Sequence, residues 1–188
     1  MALVDPIVWI DCEMTGLDPE KDALLEVACI VTSGDLNTTV IEGPSFILQA
    51  PAAALAGMSD KVRAMHSNSG LIDEVYQATL SAESAELKIL EFLEAVGVGP
   101  QVAPLAGNSV HVDRRFLARY MPKLDAYLHY RIIDVSTVKE LCRRWYPNVF
   151  SRAPAKQGAH RALDDIRESI SELVFYRENV FRFPNDTA

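Results

Sequence analysis

The chain has 188 residues, of which 49% are hydrophobic and 23% charged, and its formal net charge is −8 at pH 7. This length allows one substantial core, so we expect a single domain over residues 1–181 followed by a loose tail at 182–188. Proteins that hold long nucleic acids through many phosphates are usually basic, because counterion release supplies much of their affinity. The acidic charge therefore excludes that mode of binding. The substrate is either not a nucleic acid, or a short one held at a few contacts with metal ions neutralising the site.

The sequence carries no sign of a membrane or export segment. No apolar run approaches the ~20 residues that span a bilayer, and residues 1–6 lack the basic and apolar regions of a targeting signal. Cys12, Cys29 and Cys142 are odd in number and widely spaced, which predicts reduced core thiols and neither a disulfide frame nor a zinc site. We therefore expect a cytoplasmic protein that does not contact membranes.

Apolar runs between turn residues predict strands, and a spacing of three or four residues between apolar positions predicts helices. The first half of the chain begins with predicted strands at 7–10, 24–32, 39–41 and 45–48, followed by helical pieces within 51–79 around a loop at 66–70 and by a helix at 81–96 with Ser81 as its N-cap. The second half has predicted strands at 102–106 and 131–135, and between them a helix with Val112, Phe116 and Tyr120 inward. A helix that opens at Ser136 and is closed by Pro147 follows, then a polar loop at 148–158 and a last helix at 160–178. An antiparallel meander followed by alternating helices and strands predicts an α/β fold with a mixed central sheet flanked by helices.

Two carboxylates follow the first predicted strand. Asp11 and Glu13 are two residues apart, and alternate side chains of an extended chain point to the same face, so the two lie together. Like charges this close repel unless a cation lies between them, which suggests a divalent metal ion. The alternative is a solvated, acidic strand end, and the pair alone does not decide.

Other carboxylates fall at the ends of predicted elements. Asp113 follows a turn at 107–109, and Asp164 and Asp165 lie in the first turns of the last helix, just after His160. An acidic residue early in a helix is more often a partner of the helix dipole than a metal ligand. If these residues meet the first pair at one sheet edge, they form an oxygen-rich site suited to Mg²⁺ or Mn²⁺ with an imidazole beside it.

Three segments resemble the exonuclease motifs of the DEDDh superfamily: 11–17 (DCEMTGL), 107–113 (GNSVHVD) and 160–165 (HRALDD). The segment 129–141 (HYRIIDVSTVKEL) is similar, more narrowly, to the oligoribonucleases, and the resemblance covers residues 5–181. It implies a ribonuclease-H-like exonuclease fold and 3′-to-5′ hydrolysis of very short single-stranded RNA, with dinucleotides favoured.

The resemblance also implies roles for individual residues. His160 would be the general base, and the family spacing of histidine and aspartate selects Asp165 over Asp164. Two divalent ions, Mg²⁺ or Mn²⁺, would be held by four carboxylates: Asp11, Glu13, Asp113 and Asp165. Such a pair of ions can stabilise both the attacking and the leaving oxygen of an in-line displacement, while an imidazole can accept the proton of the attacking water near neutral pH.

A pocket closed at the 5′ end of the substrate would explain a preference for short RNA. The resemblance implies a 5′-phosphate site to which the partner subunit of a homodimer adds His129 and Tyr130. The phosphate contacts within the chain would come from Ser109, Arg131, Ser136 and Thr137. An arginine fork and a helix N-terminus both suit a phosphate. The alternative makes Ser136 and Thr137 plain caps, with Thr137 and Glu140 as a capping box, and makes Arg131 a surface strand residue.

The contacts to the bases are less defined. Leu17 corresponds to an apolar wedge against a base in the family, but a turn leucine can also fold back onto the core. Lys61 stands where many relatives carry a tryptophan that stacks on a base, and His66 is a candidate to replace that contact. Trp145 and Tyr146 can belong either to the core or to a subunit interface.

Two other interpretations stay open. The first is a related DEDDh exonuclease that trims the 3′ ends of longer RNA or DNA. The second is a catalytically silent binding module on the same fold, which the presence of all four carboxylates and His160 disfavours.

Overall fold

A computed structural model of the chain describes residues 3–155 and 160–181. The predicted tail at 182–188 and part of the predicted loop at 148–158 lie outside these residues. The strands are β1 (Ile7–Met14), β2 (Leu24–Thr32), β3 (Val40–Ile47), β4 (Pro104–Gly107) and β5 (His129–Asp134). The helices are α1 (Ala52–Ala56), α2 (Asp60–Asn68), α3 (Leu71–Gln77), α4 (Ala82–Ala95), α5 (His111–Tyr120), α6 (Pro122–Tyr127), α7 (Val135–Trp145), α8 (Pro147–Phe150) and α9 (Ala162–Asn179).

The strands form one sheet in the order β3-β2-β1-β4-β5. The hairpin pairs β1–β2 and β2–β3 are antiparallel, whereas β4 runs parallel to both β1 and β5. The predicted α/β class and the mixed sheet flanked by helices are therefore confirmed. The carboxyl ends of β1, β4 and β5 meet at one edge of the sheet, which is where open α/β sheets usually bind ligands.

The central strand β1 separates two apolar cores. Val8 and Ile10 pack against the layer of α4, α5 and α6, while Trp9 packs against α7 and α9. All three side chains are fully buried. Because side chains alternate along a strand, Asp11 and Glu13 fall on the face of the sheet that Trp9 shares with α9.

Three predicted boundaries were wrong because polar or proline residues lie inside regular structure. The predicted strands at 39–41 and 45–48 are the single strand β3, which tolerates Pro44 because β3 is an edge strand. The predicted loop at 66–70 is helical through Asn68. Strand β1 continues to Met14, so its two carboxylates lie within the strand and not beyond it.

Proline begins two helices that the sequence analysis missed. Pro122 opens α6 and Pro147 opens α8, each in the first turn. Proline suits that position because its fixed φ is already helical and its missing N–H would be unpaired there anyway. Pro147 was predicted to close the preceding helix, but it opens α8, which extends into the predicted loop at 148–158.

The starts of α7 and α9 also differ from the prediction. Asp134 is the N-cap of α7, where its side chain accepts from the Ser136 amide, so the proposed capping box at Thr137 is wrong. Helix α9 begins at Ala162, and His160 precedes it with a positive φ of 50°. The predicted N-cap of α4 is confirmed, since Ser81 accepts from the Ser84 amide.

The three cysteines lie where reduced core thiols were predicted. Cys12, Cys29 and Cys142 all lie in the described part of the chain as buried free thiols. Among the described residues, no helix has both the length and the apolar character needed to cross a bilayer.

Candidate active site

The site begins at the carboxyl end of β1. Glu13 is 7% exposed and lies opposite Glu26 of β2 in the strand register. A register irregularity follows between Glu13 and Met14, and such bulges often redirect a side chain beside an active site. Asp11, two residues earlier on the same face, is half-buried.

Asp113 approaches β1 from the first turn of α5. Its Oδ1 accepts a hydrogen bond from the backbone N–H of Cys12 at 3.0 Å, which places the carboxyl beside the strand between Asp11 and Glu13. Burial raises the pKa of Asp113 from 3.8 to about 7, although the Cys12 amide acts in the opposite direction.

Helix α9 completes the cluster from the other side of the strand. Ligand atoms of Glu13, His160 and Asp165 all lie within 4.8 Å of one another. His160 is exposed, while Asp165 is half-buried. Asp164 points away from the cluster, since its carboxylate is half-exposed and pairs with Arg167 at 2.7 Å. The choice of Asp165 over Asp164 thus agrees with where the two side chains lie.

The electrostatics of the cluster favour a cation. Burial raises the pKa of Glu13 from 4.5 to about 8, and the charges of Asp165, Glu26 and Asp113 add to the rise. Burial also raises the pKa of the Cys12 thiol, with further contributions from Asp113 and Asp11. Carboxylate oxygens held this close are the donors that hard divalent cations prefer, so the carboxylates fit Mg²⁺ or Mn²⁺ with the imidazole beside them.

His66 lies beneath Glu13 and not on the surface. Its side chain is fully buried, and its Nε2 lies 2.8 Å from the carbonyl oxygen of Met14, so this nitrogen carries the proton. Its Nδ1 is 3.8 Å from Glu13 Oε2 and finds no hydrogen-bond partner among the described residues. The ring therefore packs against Glu13 from inside and offers no open face to a base.

Two of the predicted phosphate-binding serines meet at the carboxyl ends of β4 and β5. The Oγ atoms of Ser109 and Ser136 are 3.1 Å apart. Asp134 Oδ1 accepts from the backbone N–H of both serines, each at 2.9 Å. Thr137 is exposed next to them, one residue further into α7. Asp134 was missed by the sequence analysis, although its place at the end of β5, just before α7, is typical of an N-cap.

Asn108 connects these serines to α9. Its Oδ1 accepts from Ser136 Oγ at 3.0 Å, while its Nδ2 donates to Ser169 Oγ at 2.8 Å and to Glu172 Oε2 at 3.2 Å. The Ser169 hydroxyl in turn donates to the carbonyl of Asp165 at 2.7 Å. This network fixes the serine pair relative to the helix that carries Asp165.

The remaining predicted phosphate ligands lie at the opposite end of β5. The rings of His129 and Tyr130 stack with centroids 4.4 Å apart, and the Arg131 guanidinium lies 5.4 Å from the centre of the Tyr130 ring. His129 and Arg131 line a cavity of about 500 Å³ together with Pro6, which precedes β1, and Pro104, which begins β4. Within one chain these three residues are therefore not brought together with Ser109 and Ser136.

Several large side chains are exposed where the sequence left two alternatives. Leu17 is 69% exposed, so it does not fold back onto the core. Trp145 is 65% and Tyr146 45% exposed, which excludes a core role for either within the chain. Lys61 is also exposed.

Comparisons with known proteins agree with this geometry. The chain matches the exonuclease family (RNase_T) over residues 8–173. It is 51% identical to the mitochondrial oligoribonuclease of Bos taurus over 185 residues, covering 98% of this chain and 77% of that protein. It is 54% identical to the oligoribonuclease of Mycobacterium tuberculosis (strain ATCC 25177 / H37Ra) over 177 residues, covering 94% of this chain and 82% of that protein.

Solved structures share the fold at low sequence identity. Exonuclease I of E. coli in complex with a 5cy-dT13 oligonucleotide superposes with a TM-score of 0.68 at 16% identity, covering 94% of this chain. Exonuclease I of Methylocaldum szegediense gives a TM-score of 0.62 at 18% identity. The chain spans only 41% of the length of each of these two proteins, so the likeness concerns the exonuclease fold alone.

Proposed function

The chain belongs to the oligoribonuclease family of 3′-to-5′ exoribonucleases, and we propose that it hydrolyses very short RNA, dinucleotides above all, to mononucleotides. The observation that carries the proposal is the convergence of Glu13, Asp165 and His160 within 4.8 Å beside the buried carboxyl of Asp113. Phosphodiester hydrolysis needs negative charge to be neutralised and a proton to be removed from water, and this set of groups serves both needs.

The carboxylates supply the cation site. In our proposal two divalent ions, Mg²⁺ or Mn²⁺, would be held by Asp11, Glu13, Asp113 and Asp165. When bound, such ions would polarise the scissile phosphate and neutralise the charge that develops on it. Asp113 is fixed for this role by the Cys12 amide, which donates to its Oδ1.

His160 is the general base of the proposal. Its imidazole is exposed to solvent and adjoins Glu13 and Asp165, so it can take a proton from a water molecule next to the scissile phosphate.

The preference for short substrates rests on the serine pair. Ser109, Ser136 and Thr137 offer hydroxyl groups at the amino end of α7. These hydroxyl groups would bind the phosphate, since Asp134 already accepts from the backbone N–H groups of the two serines. The stack of His129, Tyr130 and Arg131 lies too far along β5 to join them within one chain, and a second subunit of a homodimer would supply it. Leu17, exposed beyond β1, would contact a base.

A diribonucleotide assay tests the proposal. A 5′-phosphorylated diribonucleotide, the same compound without the phosphate, a longer RNA and a DNA dinucleotide are each incubated with and without a chelator, and the products are separated by chromatography. We expect metal-dependent release of mononucleotides, fastest from the phosphorylated diribonucleotide. Faster turnover of the longer RNA or of DNA would favour a general 3′ exonuclease, and turnover that survives the chelator would contradict the metal site.

The assembly and the extent of the domain are parts of the same proposal. The single sheet, covered by apolar clusters on both faces, supports one exonuclease domain over residues 1–181. Sedimentation analysis tests the homodimer. A cytoplasmic location stays a prediction, which localisation of the tagged full-length protein would test.

A further inference from the structure

Arg161, the neighbour of His160, forms an ion pair with two carboxylates at once. Its Nε lies 3.2 Å from Glu26 Oε2, and its Nη1 lies 2.7 Å from Glu74 Oε1. Glu26 belongs to β2 and is 1% exposed, whereas Glu74 belongs to α3 and is half-exposed. We call these three residues the Arg161 clamp. The clamp ties the start of α9 to two elements that are remote in sequence.

The clamp also caps α9. The Arg161 side chain makes no capping hydrogen bond itself. Instead, Glu26 Oε2 lies 3.4 Å from the backbone nitrogen of Ala162, the first residue of the helix. A carboxylate at a helix N-terminus is favourable because it faces the positive end of the helix dipole. Glu26 therefore fixes both the side chain and the backbone at the point where α9 begins.

The residue before the clamp has an unfavourable backbone conformation. His160 has a φ of 50°, in the left-handed region that costs energy for a residue with a Cβ. Such conformations persist when the surrounding structure imposes them. Arg161 follows with an extended backbone (φ −130°, ψ 127°), held in place by its side chain. The clamp thus acts directly on the peptide that orients the His160 ring.

A second arginine on the same helix provides an internal comparison. Arg167 binds Glu42 of β3 through two hydrogen bonds of 2.9 Å and binds Asp164 at 2.7 Å. It therefore has the same two-carboxylate geometry as Arg161. However, both of its partners lie at the surface, and it contacts none of the groups of the candidate site.

We propose that Arg161 is a positioning residue, which acts through Glu26 and Glu74 to set the start of α9 so that His160 and Asp165 face Glu13 together. The proposal rests on the proposed function, because it assigns to the clamp the alignment of the general base with the carboxylates. Arg161 itself does not contact the substrate.

Replacement of the guanidinium tests this role. In the full-length protein we expect Arg161→Met to lower kcat on the phosphorylated diribonucleotide about tenfold to a hundredfold, because a misplaced general base loses that much rate. KM should stay within about threefold, since the substrate contacts are unchanged. Arg167→Met, the matched control, should keep kcat within about twofold, because surface ion pairs contribute little.

A double variant separates positioning from stability. Arg161→Met alone leaves the buried Glu26 carboxylate without an opposite charge, although the Ser45 hydroxyl and the Ala162 amide still donate to it, and this loss destabilises the fold. Arg161→Met combined with Glu26→Gln removes that charge, so the unfolding temperature should return towards that of the unaltered protein while kcat stays low. Arg161→Lys keeps the charge but not the fork that spans two carboxylates, and its kcat should also stay below that of the unaltered protein.

Amide hydrogen exchange gives a readout that does not depend on activity. The Asp165 amide donates to the Arg161 carbonyl in the first turn of α9, and we expect it to exchange about tenfold faster in the double variant but not in Arg167→Met. Full kcat in the double variant, or an equal loss of kcat in Arg167→Met, would overturn the proposal. If the unaltered protein fails to cleave the diribonucleotide, the proposed function fails, and the exchange rates still decide whether the clamp orders the helix start.

Discussion

Two adjacent aspartates at the start of α9 lie in different surroundings. Successive residues of a helix are rotated by about 100°, so Asp164 and Asp165 cannot share one environment. Asp164 pairs with Arg167 at the surface, whereas Asp165 approaches Glu13 and His160. Asp164 can therefore serve as the control for a substitution of Asp165, because the two residues are adjacent but only Asp165 adjoins the site.

We expect Asp165→Asn to lower kcat at least about a hundredfold. Substitution of a residue that merely orients a metal ligand already costs about 10- to 100-fold, and the loss of a ligand itself should cost more. Asp164→Asn should leave kcat within about twofold, because it removes only an exposed ion pair. Steady-state kinetics at saturating Mn²⁺ measures both. Equal losses in the two variants would contradict the assignment of Asp165 as a ligand.

His160→Ala should affect the chemical step alone. General-base assistance contributes about 10²- to 10⁴-fold in rate, and we expect kcat to fall within that range. The affinity for Mn²⁺, measured by calorimetry, should change little, because four carboxylates stay in place. An affinity for Mn²⁺ that falls as steeply as kcat would show that the imidazole is a metal ligand.

At this scale, the sequence predicted the acidic groups better than the residues that hold them. Asp11 and Glu13 directly follow the apolar run of β1, and Asp113 follows a turn, so local sequence patterns single them out. By contrast, Arg161 and Glu26 are 135 positions apart, and nothing local marks them as partners. The burial of His66 was equally hidden in the sequence, since it depends on the contact of its ring with the Met14 carbonyl.

At the scale of elements, strands β1 and β2 were predictable because each carries a long, mostly apolar run. All nine residues of β2 are buried, and such a run can hardly be anything but a central element. The short helices α6 and α8 were not predictable, because each is one or two turns long and opens with proline. Their stability comes from packing, which no local pattern records.

Gly43 of β3 is a place where two elements meet without room for a side chain. A Cβ there would lie 2.4 Å from Cε1 of Phe92 on α4 and 2.8 Å from the carbonyl oxygen of Cys29 on β2. Phe92 of α4 therefore occupies the space that a side chain at position 43 would need.

We expect Gly43→Ala to lower the free energy of unfolding by about 1–3 kcal/mol, the usual cost of overpacking. Gly57→Ala is the control, because it follows α1 with an ordinary φ of −77° and its Cβ would come no closer than 3.4 Å to another atom. Its free energy of unfolding should change by less than about 1 kcal/mol. Urea titration of both variants measures the difference, and an unchanged midpoint for Gly43→Ala would show that α4 shifts at no cost.

At the scale of the whole molecule, the site draws on both halves of the fold. The antiparallel half supplies Glu13, the parallel half supplies Asp113 through α5, and the last helix supplies Asp165. The carboxylates therefore come close together only in the folded chain. Folding, protonation and metal binding are then linked, because a charge that is costly in the folded state is not costly in the unfolded one.

The sign of this linkage follows from the raised pKa values. Glu13 has a pKa of about 8 in the folded protein, against an ordinary value of 4.5, and the pKa of Asp113 is raised to about 7. A group whose pKa is raised on folding contributes stability below its unfolded pKa and loses it as the pH rises through the folded value. Without metal, the stability that these two carboxyls contribute therefore falls as the pH rises from about 4 to about 8.

Glu13→Gln isolates one of these contributions, since the amide keeps the shape and cannot ionise. We expect the unfolding temperature of the metal-free variant to rise relative to that of the unaltered protein as the pH increases from 5 to about 8, where the Glu13 charge becomes costly.

Mg²⁺ or Mn²⁺ should reverse the order of the two unfolding temperatures, because a ligand that binds only the folded, ionised site stabilises the unaltered protein. The stabilisation by metal should also grow with pH in the unaltered protein, since protons compete with the cation for the same oxygens. Thermal unfolding curves with and without metal at several pH values test all three expectations. Parallel curves for the two proteins would show that Glu13 neither carries the charge nor holds the ion.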